Sequence, residues 1–239
     1  MTVHKKYSSQ DHHVWELMYQ RQMEKLQFSQ NISAMILEGF EKIQLPEKTI
    51  PDFHETEAKL KLLVDWTLTN AENQYLSGDK WFQHLLKKEF PVTDYIRPMK
   101  DIDFTPLPDL FHEYFGHMPQ MACPEIAHLE WKFADVFWKI PKEHRMKLYT
   151  LSWYSIEYGF LLEQGREVVF GAGLLSSPGD LSRSLLPKSQ RDFVLEKATL
   201  KNILGTEPSP HVPHQKFFLF DSFDHIEELL KEFEEKFSG

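Results

Sequence analysis

Cysteine is nearly absent from this 239-residue chain, where Cys123 stands alone. One thiol closes no internal disulfide, and such scarcity fits a reducing cytoplasm. Glycine is sparse as well, with ten residues. No stretch has the composition of a linker, an internal repeat or a low-complexity tract. No run approaches the ~18 uncharged apolar residues of a membrane span, and the N-terminus shows no apolar signal region. Basic residues are outnumbered, 27 Lys and Arg against 36 Asp and Glu, for a formal charge of −9. That balance offers no basic surface to nucleic-acid phosphates. These absences leave a cytoplasmic globular protein that binds neither nucleic acid nor membrane.

Aromatic residues are plentiful: nineteen Phe, eight Tyr and six Trp. They predict an aromatic-lined interior, and the length suffices for one sizeable core or two small ones. Ser8 with Asp11 reads as a capping signal for a helical stretch reaching about Ile43. Pro46 and Pro51 mark a connector. Asp52 with Glu55 starts the next helix, whose inner face would be Leu60, Leu63, Val64, Leu68 and Ala71. Another opens at Asp79 and ends before Pro91, and residues 91–108, rich in proline, read as an ordered loop. Pro124 begins a helix with Ile126, Leu129, Phe133, Val136 and Phe137 on one side. A long helix is expected from Lys142 to about Gln164, closed by Gly165. Strand signals are few, at Glu167–Phe170 and Lys216–Phe220, with short helices near 178–186 and 190–203. A terminal helix from about Ser222 to Phe237 carries Leu229, Leu230 and Phe233 as its seam. The expectation is a mainly α, α+β fold with a small β element, one domain across residues 1–239.

The densest chemistry lies in Pro108-Asp-Leu-Phe-His-Glu-Tyr-Phe-Gly-His-Met-Pro119, which packs two histidines and a carboxylate into six residues. Buried polar groups cost free energy unless paired or bound to a metal. His112 and His117 are five apart, roughly 140° on a regular helix. They share an ion only where the backbone leaves the α-helix, and Gly116 stands where that is cheap. This is therefore not the four-residue spacing of zinc proteases. Glu157 is the only charge between Tyr149 and Leu162, and it is the candidate third ligand. Two His and one carboxylate with open positions opposite is the donor set of non-haem Fe(II) oxygenases. Structural zinc, with Cys123 as fourth ligand, is the competing reading. Arg97 can clamp a carboxylate through two parallel hydrogen bonds, and Asp109 can both cap the metal helix and hold that arginine. Gly171-Ala-Gly173 allows close backbone approach.

These residues, with Asp11-His-His-Val-Trp-x-x-x-Tyr-Gln-Arg-Gln22, Trp153-x-x-x-Glu157-x-Gly159, Phe170-Gly-Ala-Gly-Leu-Leu-Ser-Ser177 and Phe220-Asp-Ser-Phe223, resemble the pterin-dependent aromatic amino acid hydroxylases. The likeness is to their single-domain bacterial members and covers nearly the whole chain. It implies a single catalytic domain that uses Fe(II), a tetrahydropterin and O2 to hydroxylate an aromatic amino acid, phenylalanine to tyrosine first. It assigns iron to His112, His117 and Glu157, and the pterin to Glu113 and Trp81. Arg97, Thr105, Pro108, Asp109, Trp153, Tyr158, Gly173 and Ser176 would form the substrate site, with Ser176 also orienting a ligand histidine. Tyr158, Ser152 and Phe170 depart from the usual family residues, so tryptophan or tyrosine remains a second choice of substrate. A non-catalytic metal-binding protein that keeps the fold and a hydrolytic zinc enzyme are the rivals from other classes. The length favours a monomer or simple homodimer.

Overall fold

The computed structural model describes residues 6–72, 76–103, 107–208 and 213–238. Helix α1 (Ser9–Phe28) opens on the predicted capping box: the Ser8 N–H donates to the Asp11 carboxylate at 2.8 Å and the Asp11 N–H to Ser8 Oγ at 3.2 Å. It does not run on to Ile43. At 29–33 the chain leaves the helix, with Ser33 N–H donating to Val169 O and Val169 N–H to Asn31 O. Only then does α2 (Ala34–Ile43) form. A distant strand has outbid local helical pattern here, because both backbones find buried partners.

Helix α3 (Phe53–Val64) starts at Asp52, whose side chain accepts from the Glu55 N–H. Leu68 and Ala71, expected on its inner face, lie instead in β1 (Thr67–Glu72). That strand pairs in parallel with β2 (Glu89–Thr93), across the connecting helix α4 (Gly78–Leu86). The predicted loop from residue 91 thus begins as a strand. Pro91 is tolerated there because both strands of a two-stranded sheet are edges.

After a π-helical turn at His112–His117 come α5 (Met118–Met121) and α6 (Pro124–Lys139), which buries Ile126, Leu129, Phe133, Val136 and Phe137 as the pattern predicts. The expected single helix over 142–164 is divided. Helix α7 (Arg145–Ser152) passes into a second π-turn, Trp153–Glu157, then β3 (Phe160–Glu163). Gln164 and Gly165, both at positive φ, turn the chain into β4 (Arg166–Val169). Gly165 closes a hairpin rather than a helix. Helices α8 (Ala172–Ser176) and α9 (Pro178–Ser184) follow, then β5 (Val194–Lys197), where helix was expected, α10 (Leu200–Leu204), β6 (Lys216–Phe220) and α11 (Phe223–Phe237). The larger sheet runs β4-β3-β6-β5, antiparallel only at the β3–β4 hairpin.

The mainly helical fold carries two small sheets rather than one β element. Its aromatic interior backs the first π-turn: Phe111 and Phe115 stack at 4.9 Å, Trp15 lies 5.2 Å from Phe111, and Phe40 lies 4.9 Å from Phe115. Helices α1 and α2 therefore brace the segment bearing the histidines. Among the described residues no helix is long and apolar enough to cross a membrane.

Candidate active site

A π-turn closes hydrogen bonds from i to i+5, so residues five apart come to lie nearly one above the other. This resolves the spacing of His112 and His117. Their Nε2 atoms stand 3.1 Å apart. Gly116 contributes in a way the sequence did not reveal. A Cβ there would sit 2.7 Å from the Ala172 carbonyl oxygen, so its missing side chain lets α8 press against the turn.

Glu157, at the end of the second π-turn, points at the same spot. One carboxylate oxygen is 3.1 Å from His117 Nε2 and the other 3.6 Å from His112 Nε2. Two ligands about 2.1 Å from an ion and at right angles lie about 3.0 Å apart, so the three donors match one face of an ion's coordination shell. Glu113 also brings an oxygen within 4.8 Å of the histidine nitrogens. Glu157 is the better ligand by distance, and by its approach from a separate element.

The donors are prepared for a metal. Ser176 Oγ donates its proton to Ala172 O at 2.9 Å, so it accepts from His112 Nδ1 at 2.8 Å. His112 Nε2 is left with its lone pair facing Glu157 and His117. Burial pulls the His112 pKa down to about 4. For His117 burial acts the same way, but the Glu157, Glu113 and Glu130 carboxylates outweigh it and hold its pKa up at about 9. Glu157 is drawn down to about 2 against its burial by the two histidines, helped by the Gly173 N–H. Without a metal, a proton on His117 therefore neutralises the Glu157 charge.

Beside the donors, Glu113 is 6 % exposed, and its Oε2 has no hydrogen-bond partner among the described residues. Burial lifts its pKa to about 8. Trp81, half-buried, and the buried Phe90 lie 6.4 and 5.1 Å from the His117 ring. An orphaned carboxyl oxygen near aromatic faces suits a flat heterocycle with N–H groups.

The sequence signature of biopterin-dependent aromatic amino acid hydroxylases matches residues 2–238. The chain belongs to this family. Among its relatives, the phenylalanine-4-hydroxylase of Mesorhizobium japonicum is 30% identical over 230 residues, covering 94% of this chain and 80% of that one. That of Chromobacterium violaceum is 28% identical over 233 residues, 92% and 73% of the two chains. The Chromobacterium violaceum structure with bound iron(III) and oxidised 7,8-dihydrobiopterin superposes with a TM-score of 0.87 at 26% identity, over 97% of this chain and 83% of that one. The apo phenylalanine hydroxylase of Colwellia psychrerythraea, 24% identical, shares the fold with a TM-score of 0.88, over 97% of this chain and 88% of that one.

In this hydroxylase the remaining singled-out residues fall around the same centre, with two exceptions. Arg97 and Asp109 form a buried pair, with Nε and Nη2 donating to the two carboxylate oxygens at 2.8 and 2.7 Å. Asp109 also accepts from the backbone N–H of Arg97 and of His112. It is thus both cap and arginine holder. Trp153 and Tyr158 are half-buried with ring centres 5.0 Å apart. Tyr158 lies over Gly173, where a Cβ would meet its ring at 2.8 Å. Pro108 is exposed beside Asp109. Thr105 lies outside the described residues.

Three residues escaped the sequence reading. Gln120, fully buried, donates to Ile156 O at 3.0 Å and Phe170 O at 2.8 Å, tying the metal helix to the second π-turn. Its signal was one amide in an apolar run. Glu130 is a buried carboxylate on α6, its pKa raised to about 7 by burial. His214 meets the indole of Trp153; the resemblance marks its segment, Pro208 to His214, as one where the family tunes its choice of aromatic substrate, but singles out no residue within it.

Proposed function

We propose that this chain is an Fe(II)- and tetrahydropterin-dependent monooxygenase that converts phenylalanine to tyrosine with O2. The observation that carries the reading is the convergence of His112, His117 and Glu157 on one point. A structural zinc site would need a fourth protein ligand. Cys123 is no candidate, since its Sγ bonds to Met35 O and Pro119 O, away from the histidines. When bound, iron and reduced pterin supply the redox chemistry by which O2 is activated.

The chain's own residues do the rest. Ser176 keeps His112 in the tautomer that presents Nε2. Arg97, held rigid by Asp109, offers its guanidinium to the amino acid carboxylate, and Trp153 with Tyr158 lines the side of the aromatic ring. Glu113 and Trp81 face the pterin, the first by hydrogen bonding and the second by stacking. We further read the protein as a cytoplasmic monomer or simple dimer that binds neither nucleic acid nor membrane.

Anaerobic reconstitution should give one iron per chain, lost in His112→Ala, His117→Ala and Glu157→Ala. Tyrosine formation should require phenylalanine, O2 and a tetrahydropterin together. Turnover supported by 2-oxoglutarate without a pterin, or iron retained in all three variants, would refute the reading.

A further inference from the structure

The second π-turn does more than carry Glu157. Its first two residues grip both ends of the segment between α10 and β6. Tyr154 Oη donates to Glu207 O at 2.8 Å, and Trp153 Nε1 donates to His214 Nε2 at 3.0 Å. An indole N–H is only a donor, so His214 must present a lone pair at Nε2 and carry its proton on Nδ1. Burial agrees: His214 is 4 % exposed and its pKa is lowered to about 4 by desolvation. The His214 backbone is held as well. Arg183 Nη2 donates to His214 O at 3.0 Å, while Asp180 and Asp192 fix the same guanidinium.

The rings form one surface. His214 lies 4.3 Å from Tyr158, and Tyr158 lies 5.0 Å from Trp153. Apolar packing alone leaves a half-buried indole free to choose which edge it presents. The hydrogen bond removes that choice, because rotating Trp153 would strand a buried imidazole acceptor.

We infer that His214 is a positioning residue for the substrate ring: it holds the Trp153 indole in one orientation and thereby sets which aromatic side chain the pocket accepts. The inference rests on the hydroxylase reading, with Trp153 as part of the ring wall. Releasing the indole widens the wall, so a phenyl ring is held less well while a larger indole substrate fits more easily.

The test compares His214→Leu, which cannot accept the N–H, with His214→Gln, whose Oε1 can. In His214→Leu the KM for phenylalanine should rise about fivefold with kcat changed much less, because the wall contacts substrate and transition state alike. The kcat/KM ratio of phenylalanine over tryptophan should fall by about an order of magnitude, and His214→Gln should recover most of it. In a Trp153→Phe background His214→Leu should add little, since the two residues act as one unit. A readout independent of turnover is the indole N–H signal of Trp153 in the 15N-labelled, metal-free protein, identified by its loss in Trp153→Phe. It should exchange slowly with solvent, shift and exchange quickly in His214→Leu, and stay protected in His214→Gln.

Should His214→Leu prove poorly folded, the glutamine variant and the wild-type exchange rate still decide. A fast-exchanging Trp153 N–H in the wild type overturns the inference. So does unchanged selectivity in a folded His214→Leu, or an equal loss in the Trp153→Phe background. A wild-type protein that hydroxylates no amino acid refutes the functional reading instead, and the exchange measurement keeps the two failures apart.

Discussion

Replacing Arg97 by alanine removes the two charged donors from a carboxylate that has no exposed surface. Asp109 is 0 % and Arg97 4 % exposed, and the bonds lost are those at 2.8 and 2.7 Å. Two backbone donors remain on Asp109, from Arg97 itself at 2.9 Å and from His112 at 3.2 Å. Breaking a buried ion pair by deleting one partner costs about 3–5 kcal/mol, and the surviving N–H bonds put this case near the lower end. A cost of about 3 kcal/mol still leaves a domain folded when its stability is about 5–15 kcal/mol. Urea unfolding of the metal-free protein measures it. The cycle with Asp109→Ala and the double variant should give a coupling of about 2 kcal/mol or more. The same substitution removes the proposed clamp on the substrate carboxylate, and kcat/KM for phenylalanine should fall roughly ten- to a hundred-fold, the worth of a charge-assisted bond. Sequence reasoning expects iron binding to be untouched, since Arg97 is no ligand. The Asp109–His112 bond changes that expectation: an unpaired Asp109 disturbs the start of the metal helix, and iron should bind more weakly too. Phenethylamine, which lacks the carboxylate, separates the effects, because it reports only the structural part. A folding change below about 1 kcal/mol with no coupling to Asp109 would refute the argument, as would equal activity losses toward amine and amino acid.

Ser176→Ala removes the acceptor that fixes His112, so metal affinity should fall about ten- to a hundred-fold with folding little changed; an unchanged affinity in a metal titration would contradict the tautomer argument. Gly116→Ala drives a methyl group into the Ala172 carbonyl, a backbone atom with little room to move, at a cost of about 2–3 kcal/mol. Calorimetry should show Tm lowered by roughly 4–12 °C, and a drop under 2 °C would mean that α8 yields. Metal binding should release about one proton at pH 7, from His117 with its pKa raised to about 9 and not from His112, lowered to about 4. Affinity should then climb between pH 7 and 9 and level off above, since the competing proton is lost in that window. Cobalt(II) titrations in two buffers of different ionisation enthalpy count the proton, and none released would refute it. Burial raises the Cys123 thiol to about 11, so alkylation at pH 8 should be slow in the folded protein and fast in urea.

Much of the site was legible because its residue types are expensive to bury without a reason. Two histidines around a glutamate, a lone carboxylate in an aromatic run, and an arginine twelve residues before an aspartate each stand out against apolar neighbours. Helix starts were legible for a similar local reason: Ser8 with Asp11 and Asp52 with Glu55 satisfy backbone donors within one turn. What the sequence could not determine depends on partners far along the chain. Thr67–Glu72 and Glu89–Thr93 become strands only because each meets the other. The run from Lys142 to Gln164 keeps helical composition throughout. It gives way to a π-turn and a strand because Gln120 takes the Ile156 carbonyl and because β6 and β4 pair with the residues beyond Gly159. Gly171 permits one such close approach, where a Cβ would lie 2.4 Å from Glu157 O. The identity of the three donors was therefore written locally, while their meeting point was decided by packing. Side-chain chemistry is a property of single residues, whereas the distance from His112 to Glu157 is a property of every contact between them.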